Sequence, residues 1–388
     1  MKEKRTLMLP GPTPIPEHAR QAGAQKIIGH REKECEDLLR EVTEGLKYVF
    51  QTENDVLALT CSGTGGLEAS IANTLSKGDK VLVLCTGAFG ERYATIAERY
   101  GIDVERMNFP WGEAVDVTRV EKRLEEDTTD EIKAILMTHN ETSTGVINHP
   151  QPLGELAEQY NCLLLVDAVS SLGGIELKTD EWGVDVVVTS SQKALMTPPG
   201  LCLVSVSPKA LKAGEDSDLP KFYWSFKRAK DRYDRDTQTP STPALSTLYV
   251  LREVLAEIRE EGLENVFRRH KVVAKAIRQA VQALGLDVLV KDEKIASKTV
   301  TAIKLPTEIE FTILRQRLKD EHNVYVTGSK GKLKGDYFRI GHLGNVSRTD
   351  VLATISALEL VLQKEGLEVE LGTGLQAAQK VFLEEERR

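Results

Sequence analysis

The strongest constraint on the fold is a regular alternation of short apolar runs with helical patterns between residues 56 and 205. Each run is short enough for one buried strand, and the segments between runs repeat apolar residues at helical spacing. This alternation is typical of β-α-β units, whose parallel strands form one sheet with helices on both faces. The sequence therefore predicts an α/β fold with a mainly parallel sheet. The runs assigned to strands are VLALT, KVLVL, KAILM, CLLLV, VDVVV and LCLVS.

A change of pattern near residue 255 indicates a second structural unit. The stretch DRDTQTPSTPALS, residues 234–246, is polar and contains prolines, so we interpret it as a loop that opens a long helix. Beyond it, helical patterns mix with short strands such as TVTAIKL and YFRIG. Near the N-terminus, PGPTPIP contains too many prolines for a helix or a central strand. We predict three parts: an N-terminal arm (1–20), a large domain (21–254) and a smaller C-terminal α+β domain (255–388).

Composition narrows the class of partner. The 388 residues carry a net charge of -8, which argues against nucleic acid as the main partner. No apolar run approaches the roughly 20 residues of a membrane span, and MKEKRTLMLPGP lacks the apolar core of a signal peptide. The five cysteines are widely spaced, without a metal-binding motif, and their odd number favours a reducing compartment. We expect a cytoplasmic protein with no metal site and no membrane partner.

Two ionisable residues follow predicted strands. Lys193 lies in SSQKALMTPPG, just beyond VDVVV, and Asp167 ends the run CLLLVD. Ligands of open α/β sheets bind at the carboxyl edge, where both residues are expected. Taken alone, Lys193 is more often a lysine that extends its amine to solvent, and Asp167 could cap a helix, hold a metal or bind a ribose. Together they suit a pyridoxal phosphate (PLP) site, where a lysine forms the Schiff base and an acid pairs with the pyridinium nitrogen.

Two further loops at strand ends have features of ligand-binding segments. CSGTGGLEAS, residues 61–70, follows VLALT and opens a helix, so its small residues and the helix N-terminus suit a single phosphate group. A tight turn without a ligand is the alternative. Glu68 replaces the third glycine of a dinucleotide motif, and the Lys-Ser/Thr of a Walker A loop is missing. Phe89, in CTGAFGER, either packs in the core or stacks on a flat ring.

Three other segments carry weaker signals. THNETSTG, residues 138–145, is either a plain polar loop or a contact to a ring substituent. Arg339 lies among apolar residues in YFRIGHLG, so it needs a partner: a structural carboxylate or the carboxylate of a substrate. Lys330, Lys332 and Lys334, in GSKGKLKG, predict a solvated basic loop near the site.

In this order, the motifs resemble those of the class V aminotransferases of PLP fold type I, in the alanine–glyoxylate, serine–pyruvate and serine–glyoxylate branch. The resemblance extends from LPGPTPIP to about residue 362. It implies a large domain with a mainly parallel seven-stranded sheet, PLP as the cofactor, and a homodimer with active sites at the subunit interface. It is carried by GHRE, SGTGGLEA, GAFGER, HNETSTGV, LLLVDAVSSLGG, SSQKALMTPPG, QTPSTPALS and FRIGHLG.

The resemblance also implies roles for individual residues. Lys193 and Asp167 would be catalytic, as the Schiff-base lysine and the partner of the pyridine nitrogen. Gln238 stands where some relatives have a tyrosine. The remaining implied positions are Phe89 and Val169 on opposite faces of the ring, Thr142 near its hydroxyl, Thr64, Gly65 and Gln192 at the phosphate, Gln238 and Ser241 of a second subunit at the same phosphate, and Arg339 and Gly11 at the substrate.

The implied function is transamination by a ping-pong mechanism, in which L-alanine or L-serine donates an amino group and glyoxylate or pyruvate accepts it. The freed amine of Lys193 would transfer the proton from the substrate. A phosphoserine or aminoethylphosphonate aminotransferase is an alternative that the basic loop leaves open. A cysteine desulfurase is disfavoured because no cysteine follows Cys202. Some relatives of this branch have been labelled small subunits of a soluble hydrogenase, so a non-catalytic accessory subunit is the other alternative, although it would not need both Lys193 and Asp167.

Overall fold

The computed structural model describes residues 5–387. The α-helices are α1 (Glu17–Ala22), α2 (Lys33–Phe50), α3 (Gly63–Thr74), α4 (Ala88–Arg99), α5 (Val117–Glu125), α6 (Gln151–Gln159), α7 (Pro208–Asp216), α8 (Phe226–Asp236), α9 (Leu245–Glu261), α10 (Leu263–Ala283), α11 (Phe311–His322), α12 (Arg348–Lys364) and α13 (Thr373–Glu386). The strands are β1 (Thr6–Leu7), β2 (Asp55–Leu59), β3 (Lys80–Cys85), β4 (Asp103–Asn108), β5 (Ile132–Thr138), β6 (Asn140–Glu141), β7 (Val146–Ile147), β8 (Leu163–Asp167), β9 (Val186–Ser190), β10 (Cys202–Val206), β11 (Val300–Lys304), β12 (Val324–Tyr325), β13 (Thr327–Gly328) and β14 (Tyr337–Gly341).

A seven-stranded sheet forms the centre of the molecule, in the order β2-β10-β9-β8-β5-β3-β4. Its pairs from β9 to β4 are parallel, and β10 is antiparallel to both of its neighbours. Every residue of β8, β9 and β10 is buried, because helices cover both faces of the sheet. The predicted seven-stranded, mainly parallel sheet is therefore confirmed. The edge strand β4, with the half-polar sequence DVERMN, was not predicted.

One edge of this sheet collects the loops that carry the candidate residues. Thr138 at the end of β5 is in register with Asp167 at the end of β8. Cys202, the first residue of β10, pairs with Leu59 on one side and with Ser190 on the other. Strands β2 and β9 therefore end at the same edge as β5 and β8. The loop with Lys193 and the start of α3 follow directly from these ends.

The C-terminal part contains a three-stranded antiparallel sheet, in the order β11-β14-β13. Its apolar side packs in one hydrophobic cluster with residues of α10, α12 and α13, and Met8 from the N-terminal segment belongs to the same cluster. Strand β1 pairs in parallel with β12. The predicted domain limits stay predictions, and the limit at residue 254 falls inside α9. The predicted loop at 234–246 is shorter than expected, because α8 continues to Asp236 and α9 begins at Leu245.

Two features of residues 5–387 bear on possible partners. None of the helices there combines the length and the apolar character that crossing a membrane requires. The same residues include no group of three or more side chains arranged to hold a metal ion. All five cysteines are free thiols, and four of them are buried.

Candidate active site

Lys193 lies in the loop after β9, and the N-terminal arm closes over it. Its Nζ donates a hydrogen bond to the carbonyl of Pro10 at 2.5 Å. Thr13 donates two hydrogen bonds to the same loop. Its hydroxyl donates to the carbonyl of Lys193 at 2.7 Å, and its N–H donates to the carbonyl of Gln192 at 3.1 Å. At Gly11, whose φ is +119°, an added Cβ would lie 2.7 Å from Nζ. The arm and the lysine loop thus form one continuous wall.

Burial lowers the pKa of the Lys193 amine from 10.5 to about 8, because the ammonium form loses its hydration. The carboxylate of Asp167 acts in the opposite direction, and the positive charges of Arg92, Arg339 and Lys330 lower the pKa further. About a tenth of this amine is therefore neutral at pH 7, several hundred times more than an amine with a pKa of 10.5 would have. A neutral amine is the form that attacks a carbonyl or accepts a proton.

Asp167 is the last residue of β8, and its side chain is almost fully buried. Its Oδ1 accepts a hydrogen bond from the N–H of Val169 at 3.0 Å, and its Oδ2 lies 3.9 Å from Nη2 of Arg92. Burial raises the pKa of this carboxyl, while Arg92, the N–H of Val169 and Lys193 lower it. A second cation brought against Asp167 would favour the ionised carboxylate. The side chain is thus suited to pair with a buried, protonated ring nitrogen.

Phe89 is the second residue of α4 and presents its ring to two cations. The guanidinium carbon of Arg92, one helical turn later, lies 4.5 Å from the ring centroid. The Nζ of Lys330 lies 5.1 Å from the same centroid. Since Arg92 also approaches Asp167, the ring of Phe89 and the carboxylate of Asp167 border the same space. The sequence analysis missed Arg92, for which the three-residue spacing from Phe89 was the available signal.

Glu141, in β6, connects two walls of the site. This fully buried carboxylate accepts hydrogen bonds from the N–H groups of Phe89 and Gly90 at 3.0 and 3.1 Å. It also accepts from the N–H of Ser143 at 3.0 Å and from its hydroxyl at 2.5 Å. Burial raises the pKa of Glu141, and these hydrogen bonds lower it. The sequence analysis did not single out Glu141, although an acid within the polar loop THNETSTG was a signal.

Thr142 and Arg339 meet on the side of the C-terminal part. The Thr142 hydroxyl donates to the hydroxyl of Ser170 at 2.7 Å, and its carbonyl accepts from Nη1 of Arg339 at 2.9 Å. Nε and Nη2 of Arg339 both donate to the carbonyl of Gly328, at 3.1 and 2.7 Å. Burial lowers the pKa of Arg339 to about 10, and the carboxylate of Glu141 raises it. The guanidinium fork is thus fixed beside the loop that carries Thr142.

The N-terminus of α3 provides an anion cradle at the same edge. The side chain of Ser62, its N-cap residue, makes no capping hydrogen bond. Backbone N–H groups in the first turn of a helix lack intrahelical partners, and Thr64 and Gly65 lie in that turn. An added Cβ at Gly63 would lie 2.6 Å from Cγ2 of Val169, so the helix begins directly against the Asp167 loop. Such a helix start suits a phosphate group.

Gln238 and Ser241 lie apart from these residues, in the loop between α8 and α9. The side-chain oxygen of Gln238 accepts a hydrogen bond from Arg31 at 3.2 Å. Within residues 5–387, no hydrogen bond links Gln238 or Ser241 to Lys193 or Asp167. Their assignment to the phosphate site of a second subunit stays a prediction.

The residues that the structure brings together form a donor set that fits PLP. A buried acid opposes a buried amine of lowered pKa, an aromatic ring flanks the space between them, and a helix N-terminus with free N–H groups adjoins it. The acid suits the pyridinium of PLP, the amine suits its aldehyde, the aromatic side chain suits its flat ring and the helix N-terminus suits its phosphate. The fold and the site thus match one class, the α/β enzymes whose sites hold PLP.

Comparison with known proteins identifies the family. Residues 17–332 match the sequence model of the family described as "Aminotransferase class-V". The chain therefore belongs to the class V aminotransferases, and its α/β fold is that of PLP fold type I. The predicted family, fold and enzyme class are confirmed.

Relatives align along nearly the whole chain but carry different names. The chain is 42% identical over 384 residues to the "Soluble hydrogenase 42 kDa subunit" of Anabaena cylindrica, covering 98% of this chain and 100% of the relative. It is 38% identical to the "L-aspartate--glyoxylate aminotransferase" of Paracoccus denitrificans, covering 98% and 97%. The crystal structure of an alanine–glyoxylate aminotransferase from Nostoc sp. superposes with a TM-score of 0.89 at 33% identity, covering 93% of this chain and 96% of that one.

Proposed function

We propose that this protein is a PLP-dependent transaminase that moves the amino group of L-alanine or L-serine to glyoxylate or pyruvate by a ping-pong mechanism. The observation that carries the proposal is the pairing of Lys193, with a pKa of about 8, and buried Asp167 at one edge of the sheet. Two relatives support glyoxylate as the acceptor, because both names contain it. Their names differ in the donor.

Each residue of the site has a distinct part in this proposal. Bound PLP supplies a ring that stabilises negative charge at the substrate Cα. Asp167 keeps a proton on the ring nitrogen through its buried carboxylate, and Phe89 orients the ring by stacking on one face. Lys193 accepts the proton that leaves the substrate Cα, because its neutral amine is populated near neutral pH. Arg339 binds the substrate α-carboxylate with its planar fork.

The remaining groups complete the cofactor and substrate contacts. Thr64, Gly65 and Gln192 bind the phosphate, with the first turn of α3 contributing backbone N–H groups. Val169 covers the ring face opposite Phe89, and Thr142 and its partner Ser170 contact the ring hydroxyl. We assign Gly11 to the substrate side, where it adjoins Lys193.

The proposal includes a homodimer in the cytoplasm, with small amino acids and 2-oxo acids as substrates. Gln238 and Ser241 would reach the phosphate of the partner subunit. Sedimentation of the purified protein tests the dimer, and mixing two inactive variants tests the shared site. A Lys193→Ala chain and a Gln238→Ala chain are expected to regain partial activity as heterodimers, because one of the two sites then receives both native residues.

The first experiment is the absorption spectrum of the purified protein after incubation with PLP. A visible band that moves to the near ultraviolet on adding L-alanine, and returns on adding glyoxylate, supports both half-reactions. L-Serine in place of L-alanine ranks the donors. A protein that stays colourless with PLP contradicts the proposal and favours an accessory subunit, in line with the name of the Anabaena relative.

A further inference from the structure

Lys330 lies in the exposed basic loop and approaches Phe89, one of the candidate residues of the site. It follows β13 and precedes a short 3-10 helix (Gly331–Leu333). Its Nζ lies 5.1 Å from the centroid of the Phe89 ring. Within the part of the chain that the structure describes, the side-chain amine of Lys330 makes no ion pair and no hydrogen bond, and its cation–π contact with Phe89 is the interaction it has. Its amine therefore remains available to an anion.

The loop that carries Lys330 is held at both ends. On one side, Arg339 donates two hydrogen bonds to the carbonyl of Gly328. On the other side, an added Cβ at Gly331 would lie 2.5 Å from the ring of Trp111, and Nζ of Lys332 lies 5.8 Å from the centroid of that ring. The loop is thus held by Arg339 of the three-stranded sheet and by Trp111, and these contacts fix the position of Lys330.

The site around Lys330 carries more positive than negative charge. Burial lowers the pKa of Lys330, the positive charges of Arg339 and Arg92 lower it further, and the carboxylate of Glu141 raises it. The two nearby acids are already engaged, because Glu141 accepts four N–H or O–H donors and Asp167 faces Arg92. If Arg339 takes the substrate α-carboxylate, Lys330 is left for a different anionic group.

We propose that Lys330 binds a second anionic group at the distal end of the substrate. The site then takes amino acids whose short side chain ends in a carboxylate or a phosphate, in addition to small neutral donors. The inference rests on the proposed transaminase function and deepens it by naming a substrate class. Lys330 is a specificity residue, because its charge acts on the far end of the substrate and leaves the reacting Cα to Lys193.

The kinetic test compares donors in the PLP-loaded wild type, Lys330→Met and Lys334→Met. Lys334 is the matched control, because it lies in the same loop, is exposed and, within residues 5–387, lacks the cation–π contact that Lys330 and Lys332 make. The ratio of kcat/KM for L-aspartate to kcat/KM for L-alanine is expected to fall about tenfold or more in Lys330→Met. Lys334→Met is expected to keep the wild-type ratio. An unchanged ratio in Lys330→Met overturns the proposal.

O-Phospho-L-serine as a third donor distinguishes the two anionic groups. A larger loss for L-aspartate assigns a carboxylate, and a larger loss for O-phospho-L-serine assigns a phosphate. Lys330→Arg keeps the charge and is expected to restore most of the lost ratio. A Lys330→Arg variant as defective as Lys330→Met overturns a charge-based role.

A binding measurement separates this inference from the proposed function. Calorimetry gives the Kd of succinate, a dicarboxylate that cannot be transaminated, and of propionate, which lacks the distal carboxylate. The succinate Kd is expected to rise about tenfold in Lys330→Met, and the propionate Kd is expected to change much less. If no amino acid alters the spectrum but succinate binding still depends on Lys330, the transaminase proposal fails and the anion site stands. If amino acids react but succinate binds equally well to both proteins, the anion site is wrong.

Discussion

The side-chain amine of Lys193 donates a hydrogen bond at 2.5 Å to the carbonyl of Pro10, a residue 183 positions earlier in the chain. Two residues before Pro10, the same arm contacts β14: the N–H of Gly341 donates a hydrogen bond to the carbonyl of Met8 at 2.9 Å. Strand β14 carries Arg339. The N-terminal arm therefore connects the lysine to the strand of the arginine, and its backbone fixes part of the distance between them.

Gly11 tests this role of the arm. Because its φ is +119° and its Cβ position lies 2.7 Å from Lys193 Cδ and Nζ, Gly11→Ala must displace the lysine side chain. We predict about a tenfold or larger loss in the rate of covalent PLP attachment. We also predict a loss of about 1–3 kcal/mol in the free energy of unfolding from the positive φ. Stopped-flow absorbance and denaturant titration measure the two quantities.

Gly78→Ala is the matched control for that variant. Gly78 also has a positive φ, +88°, but no atom lies within 4 Å of its Cβ position. It should lose similar stability and attach PLP at the wild-type rate. Equal attachment rates in the two variants would show that the arm does not position Lys193.

The lowered pKa of Lys193 predicts a pH dependence. Only the neutral amine attacks the PLP carbonyl, and the neutral fraction rises with pH until it levels off above the pKa of about 8. The rate of covalent PLP attachment to cofactor-free protein should therefore rise by about tenfold per pH unit below 8 and level off above it. Stopped-flow absorbance between about pH 6 and about pH 11.5 measures the midpoint. A midpoint near 10.5, the ordinary value, contradicts the burial argument.

Asp167→Asn should move this midpoint downward. The carboxylate of Asp167 raises the pKa of Lys193, so removing its charge leaves burial and the neighbouring cations to lower that pKa further. The same pH series on the variant measures the change. A midpoint that stays where it was in the wild type would mean that Asp167 is uncharged at that pH.

The sequence predicted the elements that are buried on both faces. Strands β8 and β9 are continuous apolar runs, and Asp167 and Lys193 follow from their ends because parallel strands finish at one edge. Strand β4 escaped prediction, because an edge strand with DVERMN has no apolar run or clean alternation. A strand that is buried on one face only leaves a weaker pattern in the sequence than a strand that is buried on both faces.

Contacts between distant segments could not be predicted. Glu141 binds the N–H of Phe89 across 52 residues, and its role depends on how β6 meets α4. Lys330 was predicted to lie in a solvated loop near the site and is exposed, but no local pattern indicated that its amine lies over the ring of Phe89. The assignment of Gln238 to a second subunit came only from family resemblance, and one chain does not test it.

We expect Glu141 to contribute to the stability of the protein mainly through the hydrogen bonds that it accepts and less through its charge. Its Oε2 accepts from the N–H groups of both Phe89 and Gly90. In Glu141→Gln, an NH₂ group replaces one of the two carboxylate oxygens. That NH₂ would face either the N–H groups of Phe89 and Gly90 or the N–H and hydroxyl of Ser143, so one pair of donors would lose its acceptor. We predict a loss of about 2–3 kcal/mol in the free energy of unfolding. Denaturant titration measures it.

A surface carboxylate provides the comparison for Glu141. Glu131 forms an ion pair with Lys80 at 2.6 Å, and its side chain is 56% exposed. Glu131→Gln should lower the free energy of unfolding much less than Glu141→Gln does, because solvent screens such pairs. Comparable losses in both variants would show that the hydrogen bonds of Glu141 contribute little.

Arg339→Lys separates substrate binding from protein structure. Lysine keeps the positive charge but lacks the planar fork, so it cannot hold the Gly328 carbonyl and a carboxylate together. We predict a rise of about tenfold to a hundredfold in the KM for L-alanine with a smaller fall in kcat, because the α-carboxylate is bound before and during the reaction. Steady-state kinetics measures both constants. The control is Arg317→Lys, an arginine paired with Glu321 at the surface, which should leave KM unchanged. If KM stays constant in Arg339→Lys while the melting temperature falls, Arg339 serves the loop of Gly328, and the substrate carboxylate binds to another cation of the site.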